Sequence, residues 1–444
     1  MTASAAAQEE NAAAPPCAPA APVAARSAIE STIALLAAAL RPAPGSSFVA
    51  TAELDSDAPA PRARQLVWQL AELVAGKLGP QARYHGQALG LAAARRLARP
   101  APALVFLRPR IARGRLSLAA DLYPVPRGIW QRAAAPEPGP TEHGYAEAAL
   151  DAEVRGFLEP IPLGEPVVAR SPVPEAGVLA LGCGDLDADG APELVAVGRQ
   201  RIAVLGLRAG EVLPRRAALW SELAHVAPAP LRQPIGFATV VPEDPWSGRH
   251  AYADVSLTDR ARSVRLDASL RPLGGFEAMA VPFGQRSACT PVRSLLLQDG
   301  LSPCTPADPP LAATLGRPTD ALGSALVVAT SGRAEVACAL RDGARLVVRW
   351  ADGRERTFAE RVGAQLAVGD LDQDGLPELA TSLDVLDPSK DAVVVRSLLP
   401  SGELQERYRV SVPTGVGALA ICPPDGPGRP ALAVATAAQI WVIR

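Results

Sequence analysis

The sequence predicts a multidomain protein in which a small N-terminal α/β domain precedes a longer all-β region built from repeats. Repetition is visible in the undecapeptide Gly184–Leu194, which recurs as Gly369–Leu379 with two of eleven positions changed. A third, degenerate copy follows at Gly417–Ala433. Short apolar runs flank each copy, as is typical of buried strands. Before the repeats, helical and strand patterns alternate, which indicates an α/β unit.

The N-terminal region divides into three parts. Residues 1–25 are rich in alanine and proline and predict a disordered tether, because such a composition cannot bury a core. Residues 26–132 predict the α/β domain, and residues 133–162 a linker with a helix from Tyr145 to Leu158. The domain is predicted to begin with a helix over Ile33–Leu40, capped by Ser27 and Glu30, and a strand at Phe48–Leu54. Helices at 61–78 and Gln87–Leu97 are predicted to follow. A hairpin of Ala103–Leu107 with Leu116–Leu122, turning at Arg113 and Gly114, is predicted to complete it.

The complete repeats place carboxylates at alternate positions of a loop. Hard cations such as Ca²⁺ take six to eight oxygen ligands, and a loop supplies them compactly from every second residue. Gly190 and Gly375 allow the sharp turn that such a loop needs. We therefore expect two Ca²⁺ sites, each using three Asp side chains, one backbone carbonyl and one Glu: Asp185, Asp187, Asp189, Ala191 and Glu193 in one, and Asp370, Asp372, Asp374, Leu376 and Glu378 in the other.

Three other interpretations apply to loops of this composition. An EF-hand needs flanking helices and a Glu at loop position twelve, where this chain has Ala196 and Thr381. A metal-free polar turn and acid–base catalysis by paired carboxylates are the remaining alternatives. Metal ligation is favoured over both, because carboxylates packed this densely repel one another without a cation.

The strand, loop, strand arrangement with G-D-L-D-x-D-G-x-P-E-L in both loops resembles the FG-GAP/VCBS repeat, the blade unit of integrin-α-like β-propellers. The resemblance implies a propeller over residues 163–444, with Ca²⁺ in some blade loops and a role in adhesion or ligand binding. Repeat points about 40 to about 57 residues apart suit four short strands per blade. We expect about six blades, with seven as the alternative.

Other parts of the repeat region are degenerate. In the third copy Pro423, Pro427 and Ala431 replace the ligands, so this blade is expected to fold without metal. Weaker echoes of the pattern lie at Gly236–Val241, Ala278–Val281 and Ala325–Ala329. The last blade lacks a fourth strand. We expect Pro166–Arg170 to supply it, which would close the ring and remove an exposed edge.

The N-terminal domain is faintly similar to the small α/β domains of TolB, FlgO and CsgG-type bacterial envelope proteins. The similarity lies in the order of elements, so it implies a fold and no activity. No secretory signal and no stretch of ~20 apolar residues is visible. A net charge of −2 gives no general attraction to nucleic acid, which is not expected as a partner.

Catalytic motifs were sought and not found. The sequence has no His-Glu-x-x-His, no Gly-x-Ser-x-Gly and no phosphate-binding Walker loop. Its histidines, His85, His143, His225 and His250, lack ligand spacing. Asp244, Trp246 and His250 lie in or next to a long predicted loop, Pro242–Arg249, that could line a binding face. A solvated loop with one anchoring Trp is the simpler interpretation.

Cys17 lies in the predicted tether, and the other five of the six cysteines divide into two groups. Cys289 and Cys304 are close enough for a disulfide across an irregular segment. Cys183, Cys338 and Cys422 lie in or beside predicted strands and are expected to be buried thiols. Pairing among them does not follow from sequence.

These observations predict a non-enzymatic, Ca²⁺-stabilised propeller that binds a protein or carbohydrate ligand and is periplasmic, outer-membrane associated or secreted. Weak Ca²⁺ sites are occupied at extracellular concentrations, which favours export. One alternative is a polysaccharide-acting or other hydrolase or lyase, which would gather groups of displaced pKa in one pocket. Another is an assembly scaffold, which would expose an apolar patch.

Overall fold

The computed structural model describes residues 27–444 except for short gaps. The gaps are 41–45, 58, 136, 174–176, 225–227, 230, 232–233, 244–248, 261, 294–295, 307, 309–310, 312, 329–333, 351–352, 400 and 425–428.

The N-terminal unit is a mixed sheet with helices packed against it. Its elements are α1 (Ala28–Ala39), β1 (Phe48–Thr51), β2 (Asp55–Ser56), α2 (Ala63–Leu78), β3 (Arg83–Ala88), α3 (Leu91–Leu97), β4 (Ala103–Ala112), β5 (Arg115–Pro124), α4 (Ile129–Ala134), β6 (Glu142–Ala149) and α5 (Ala152–Arg155). The sheet order is β3-β1-β4-β5-β6, with β2 beside β4. Strand β1 is parallel to β3 and β4, whereas β4, β5 and β6 are antiparallel. Residues of α1 and α2 share one apolar cluster with the sheet, and residues of α3 share another.

Most predicted elements of this unit are present, but the helix predicted at Gln87–Leu97 begins only at Leu91, because Gln87 and Ala88 end strand β3, which was not predicted. The Ser27 hydroxyl accepts the Glu30 backbone N–H at 3.1 Å and caps α1. The β4–β5 hairpin turns at Arg113 and Gly114, which both have positive φ. None of the described helices is long and apolar enough to cross a membrane.

The predicted helix from Tyr145 to Leu158 is wrong. Its first half belongs to β6, which pairs with β5, and only Ala152–Arg155 is helical. Gly144 and Ala146 are buried while Tyr145 is exposed, which is the alternation of a strand. Pairing with β5 therefore overrides the helix propensity of this Ala- and Glu-rich stretch.

The rest of the chain forms the blades of a β-propeller. Its strands are β7 (Val168–Pro172), β8 (Ala180–Gly184), β9 (Glu193–Val197), β10 (Arg201–Arg208), β11 (Glu211–Leu219), β12 (Gly236–Val241), β13 (Tyr252–Leu257), β14 (Arg262–Leu266), β15 (Pro272–Phe276), β16 (Met279–Phe283), β17 (Arg286–Thr290), β18 (Val292–Arg293), β19 (Leu296–Leu297), β20 (Gly300–Leu301), β21 (Ala313–Thr314), β22 (Leu322–Val328), β23 (Ala334–Asp342), β24 (Arg345–Trp350), β25 (Glu355–Arg361), β26 (Leu366–Gly369), β27 (Glu378–Thr381), β28 (Ala392–Leu398), β29 (Leu404–Ser411), β30 (Ala418–Cys422), β31 (Ala431–Ala435) and β32 (Gln439–Ile443). A short helix, α6 (Trp220–Leu223), follows β11.

Five four-stranded sheets make up the propeller: β8–β11, β12–β15, β22–β25, β26–β29, and β30–β32 with β7. First strands of neighbouring sheets are in contact: β8 with β12, β22 with β26, β26 with β30, and β30 with β8. Glycines permit this approach. A Cβ on Gly182 would lie 2.8 Å from the Ala238 carbonyl oxygen, and one on Gly369 would lie 2.7 Å from Ile421 Cγ2.

The chain between β15 and β22 is irregular. It forms three two-stranded pairs, β16–β17, β18–β19 and β20–β21, and β16 contacts both β12 and β22. The described residues of this segment do not form a sixth four-stranded sheet. The structure therefore has five blades, and the predicted count of six is not confirmed.

Two features close the ring. Strand β7 pairs with β32, with Val168 opposite Ile443 at one end and Pro172 opposite Gln439 at the other. This pairing confirms the expected fourth strand of the last blade. A disulfide joins Cys183 of β8 to Cys422 of β30.

The prediction that Cys183 and Cys422 are thiols is wrong. These residues are 239 positions apart, and only ring closure makes their strands neighbours. The expected Cys289–Cys304 disulfide is present, and Cys338 is a buried thiol as predicted.

Candidate metal centre

The two acidic loops occupy the same place in their blades. The first acidic loop (Asp185–Glu193) connects β8 to β9, and the second acidic loop (Asp370–Glu378) connects β26 to β27. In each, the Glu begins the second strand and pairs with the glycine that ends the first. The predicted turn glycines, Gly190 and Gly375, have φ of 85° and 88°. The preceding Ala188 and Gln373 also have positive φ, a conformation that the sequence did not indicate.

The first Asp of each loop is held in the same way. The Gly190 N–H donates to Asp185 Oδ2 at 3.0 Å, and the Gly375 N–H donates to Asp370 Oδ2 at 3.2 Å. The other oxygen of each carboxylate, Oδ1, is buried and has no hydrogen-bond donor in the described structure. A buried carboxylate oxygen without a donor needs a partner, and a cation would supply one.

Carboxylate oxygens converge in both loops. Those of Asp185, Asp187 and Glu193 lie within 4.8 Å of one another, as do those of Asp370, Asp372 and Asp374. Each of these two clusters could hold one metal ion. The clusters contain six of the ten predicted ligands.

The other four predicted ligands lie beside the clusters. The N–H groups of Ala191 and Leu376 donate to Asp189 and Asp374, at 2.9 Å and 2.7 Å. Glu378 Oε2 accepts the Leu371 N–H at 2.7 Å. A ligand role for Ala191, Leu376, Asp189 or Glu378 remains a prediction.

Burial makes ionisation of five of these carboxylates less favourable. In the second acidic loop, burial and neighbouring carboxylates raise the pKa of Asp370 to about 6, of Asp372 to about 7 and of Glu378 to about 9. In the first acidic loop, burial raises the pKa of Asp185 and Glu193. A bound cation would favour the ionised forms and reverse these shifts.

Two arginines approach the first acidic loop. Arg215 Nη1 lies 2.7 Å from Asp187 Oδ2 and 2.8 Å from Glu193 Oε1, the second contact being an ion pair without hydrogen-bond alignment. Arg208 Nη2 lies 2.8 Å from Asp189 Oδ2. Sequence analysis missed both arginines, because they lie on β10 and β11 and reach the loop only through strand pairing.

The surroundings of the second acidic loop differ. The Ser397 hydroxyl donates to Glu378 Oε1 at 2.8 Å and accepts from Arg407 Nε at 2.8 Å. Arg407 Nη2 lies 3.9 Å from Asp372 Oδ2. The N-terminal unit and its linker also reach this loop. The Ile161 N–H donates to the Asp372 carbonyl oxygen at 2.6 Å. Burial lowers the pKa of Arg155, while the nearby Asp370 charge raises it.

Other predicted features do not join these loops. His85 and His143 lie on opposite edge strands of the N-terminal sheet, and His143 Nδ1 is 2.7 Å from Asp121 Oδ1. His250 lies 3.6 Å from Glu243. His225, Asp244, Trp246 and Pro427 lie outside the described residues.

No protein-family model matches the sequence, and no curated protein matches it. Similar solved structures include the WD40 domain of coronin from Toxoplasma gondii, at 6% identity over 64% of this chain and 88% of that one, with a TM-score of 0.34. Another is apo ctPRC2 in an autoinhibited state, at 9% identity over 61% of this chain and 70% of that one, with a TM-score of 0.36. By its own sheet topology and acidic loops, the chain is a β-propeller protein with two acidic clusters that could hold metal.

Proposed function

We propose that this chain is a non-enzymatic binding or scaffold protein whose FG-GAP/VCBS-type propeller is stabilised by Ca²⁺. The observation that carries the proposal is the pair of equivalent loops, each with converging carboxylates and a buried Asp oxygen that has no donor. Ca²⁺ suits such loops, because it accepts many oxygen ligands in flexible geometry. The ion would hold the loop between two strands and neutralise its carboxylates.

The two disulfides support a location outside the cytosol. Disulfides persist in oxidising compartments and are rare where thiols are kept reduced. One of them joins the first and last blades, so its formation helps to close the whole ring. We therefore propose that the chain works in the bacterial envelope or outside the cell, where Ca²⁺ sites of modest affinity are occupied.

We also propose that the irregular segment between β15 and β22 fills a sixth position in the ring. The contacts of β16 with β12 and β22 support this, since they repeat the contacts between first strands of neighbouring blades. Three short pairs would then stand in for one regular sheet. The N-terminal sheet with its helices would be a separate α/β domain.

A specific observation favours a scaffold role over a small-ligand receptor. Ile129 and Trp130 begin α4 in the N-terminal unit, and they are 75% and 86% exposed. Large exposed apolar side chains next to each other are typical of protein contact sites. A protein partner is therefore favoured over a carbohydrate one for this unit.

The calcium proposal is tested by calorimetric titration of Ca²⁺ into the full chain after chelator treatment, with thermal melts in Ca²⁺ and in chelator. We expect binding and a higher melting temperature in Ca²⁺, with a smaller effect of Mg²⁺ at equal concentration. Identical melts in Ca²⁺ and in chelator would contradict a structural role for the ion.

A further inference from the structure

Arg215 and Arg407 occupy equivalent positions in the two blades that carry acidic loops. In the first of these blades, Val204 faces Arg216 and Leu205 faces Pro214, so Arg215 is the extra residue of a bulge. In the other, Val395 faces Tyr408 and Arg396 faces Glu406, so Arg407 is the extra residue. Bulges redirect a side chain out of the regular alternation. Here both bulges direct an arginine towards the acidic loop.

One neighbouring position differs between the blades. The residue that pairs with the loop Glu is Gly206 opposite Glu193, and Ser397 opposite Glu378. A Cβ on Gly206 would lie 2.6 Å from Arg215 Nε, so the arginine crosses the space that a side chain would fill. Ser397 fills that space in the other blade and binds Arg407 Nε through its hydroxyl.

The arginines consequently end at different places. Arg215 Nη1 contacts Asp187 Oδ2 and Glu193 Oε1, at 2.7 Å and 2.8 Å, and so lies between two of the three carboxylates that could hold metal. Arg407 Nη2 stops 3.9 Å from Asp372, on the far side of Ser397.

The charge balance of the loops differs as well. Each loop contains four carboxylates. The first acidic loop has Arg208 and Arg215 within 3 Å of its carboxylate oxygens. The cations near the second are Arg407, 3.9 Å from Asp372, and Arg155, whose charge acts on Asp370 without forming an ion pair. Asp370 and Asp374 form no ion pair within the described structure. A divalent ion entering the first acidic loop would have to displace a guanidinium that already bridges two carboxylates, against the Coulomb energy of both contacts.

We propose that Arg215 is a built-in cation of the first acidic loop, so that the chain binds Ca²⁺ at the second acidic loop alone. The inference rests on the proposed function and changes its stoichiometry from two ions per chain to one. Gly206 is then a specificity-determining residue, because its missing side chain admits the arginine.

Counting bound ions on the full chain tests this, by calorimetric Ca²⁺ titration and by elemental analysis of the dialysed protein. We expect one ion in the wild type, none in Asp370→Asn and one in Asp185→Asn. Two ions in the wild type would overturn the inference and leave the proposed function standing. No ion in the wild type or in any variant would overturn both the inference and the proposed function.

Variants at Arg215 and Gly206 test directly whether the arginine excludes Ca²⁺ from the first acidic loop. Arg215→Gln should raise the count from one ion to two, while the matched control Arg407→Gln should leave it at one. Gly206→Ser should also raise the count to two ions, because its side chain displaces Arg215 while the charge of the arginine is kept. This variant replaces Arg215→Gln in the test if Arg215→Gln fails to fold. One ion in both Arg215→Gln and Gly206→Ser, each folded by circular dichroism, would overturn the inference.

Discussion

Glu378 shows how a single buried residue can link stability to protons and cations. Its side chain is fully buried beside Asp370 and Asp372, and burial raises its pKa to about 9. In the unfolded chain the same group has a pKa near 4.5. Between these values the metal-free folded state therefore holds a proton that the unfolded state releases, so the free energy of unfolding falls as pH rises.

We accordingly predict that the melting temperature in chelator falls as pH rises from about 5 to about 9, and that saturating Ca²⁺ reduces this fall. The ion would reduce it because it favours the ionised carboxylates in the folded state. The measurement is a set of thermal melts across this pH range. Glu378→Gln cannot ionise and should reduce the fall seen in chelator, most clearly between about pH 7 and 9, above the raised pKa values of Asp370 and Asp372. A melting temperature that rises with pH in chelator would contradict the prediction.

At the scale of elements, strand pairing brings Arg265 between two acidic residues. Asp254 on β13 pairs with Arg265 on β14, and the guanidinium binds Asp254 at 2.8 Å and Asp308 at 3.1 Å. Asp254 is fully buried, and burial raises its pKa against the effect of Arg265. Removing the arginine would leave carboxylates buried without their counter-charge.

Arg265→Met should therefore lower the free energy of unfolding by about 3 to 5 kcal/mol, as expected when one partner of a buried ion pair is removed. Urea denaturation with the other conditions held constant measures the change. Arg271→Met is the matched control, because Arg271 is 79% exposed and pairs with Asp267 at the surface. A surface pair contributes about 0 to 1 kcal/mol. Equal effects of the two variants would contradict the argument.

Local patterns predicted the strands that carry a clear apolar run, because the burial of such a strand shows in its own residues. The run Gly236–Val241 is an observed strand, and Ala278–Val281 overlaps another. Features that depend on neighbours from elsewhere in the chain were missed. The arginines at the acidic loops needed the bulge register, and β6 needed its pairing with β5.

At the scale of the whole molecule, ring closure depends on partners from the two ends of the propeller. Strand β7 was predictable, since the last blade lacked a strand and the repeat region began with a spare apolar one. The Cys183–Cys422 disulfide was not, because the sequence alone does not show which blades become neighbours. Both features oppose separation of the first and last blades.

Under non-reducing conditions, Cys183→Ser with Cys422→Ser should lower the free energy of unfolding by up to roughly 5 kcal/mol, because the bond closes a long loop in the unfolded chain. Cys289→Ser with Cys304→Ser is the comparison, and its shorter loop predicts roughly 3 kcal/mol. Chemical denaturation of the three proteins measures both changes. A larger effect of the second pair would show that chain entropy does not govern these bonds.

The same disulfide limits how far the propeller can be stretched. A pulling force applied between Val167 and Arg444 would detach β7 from β32, since the two strands lie at the ends of the loaded path. Cys183 and Cys422 are 239 positions apart, and the segment between them would carry no load, because the tension passes through the disulfide. Only the flanking segments could extend, by roughly 3.3 to 3.6 Å per residue. The oxidised propeller would therefore open first between β7 and β32, while most of its blades carry no load.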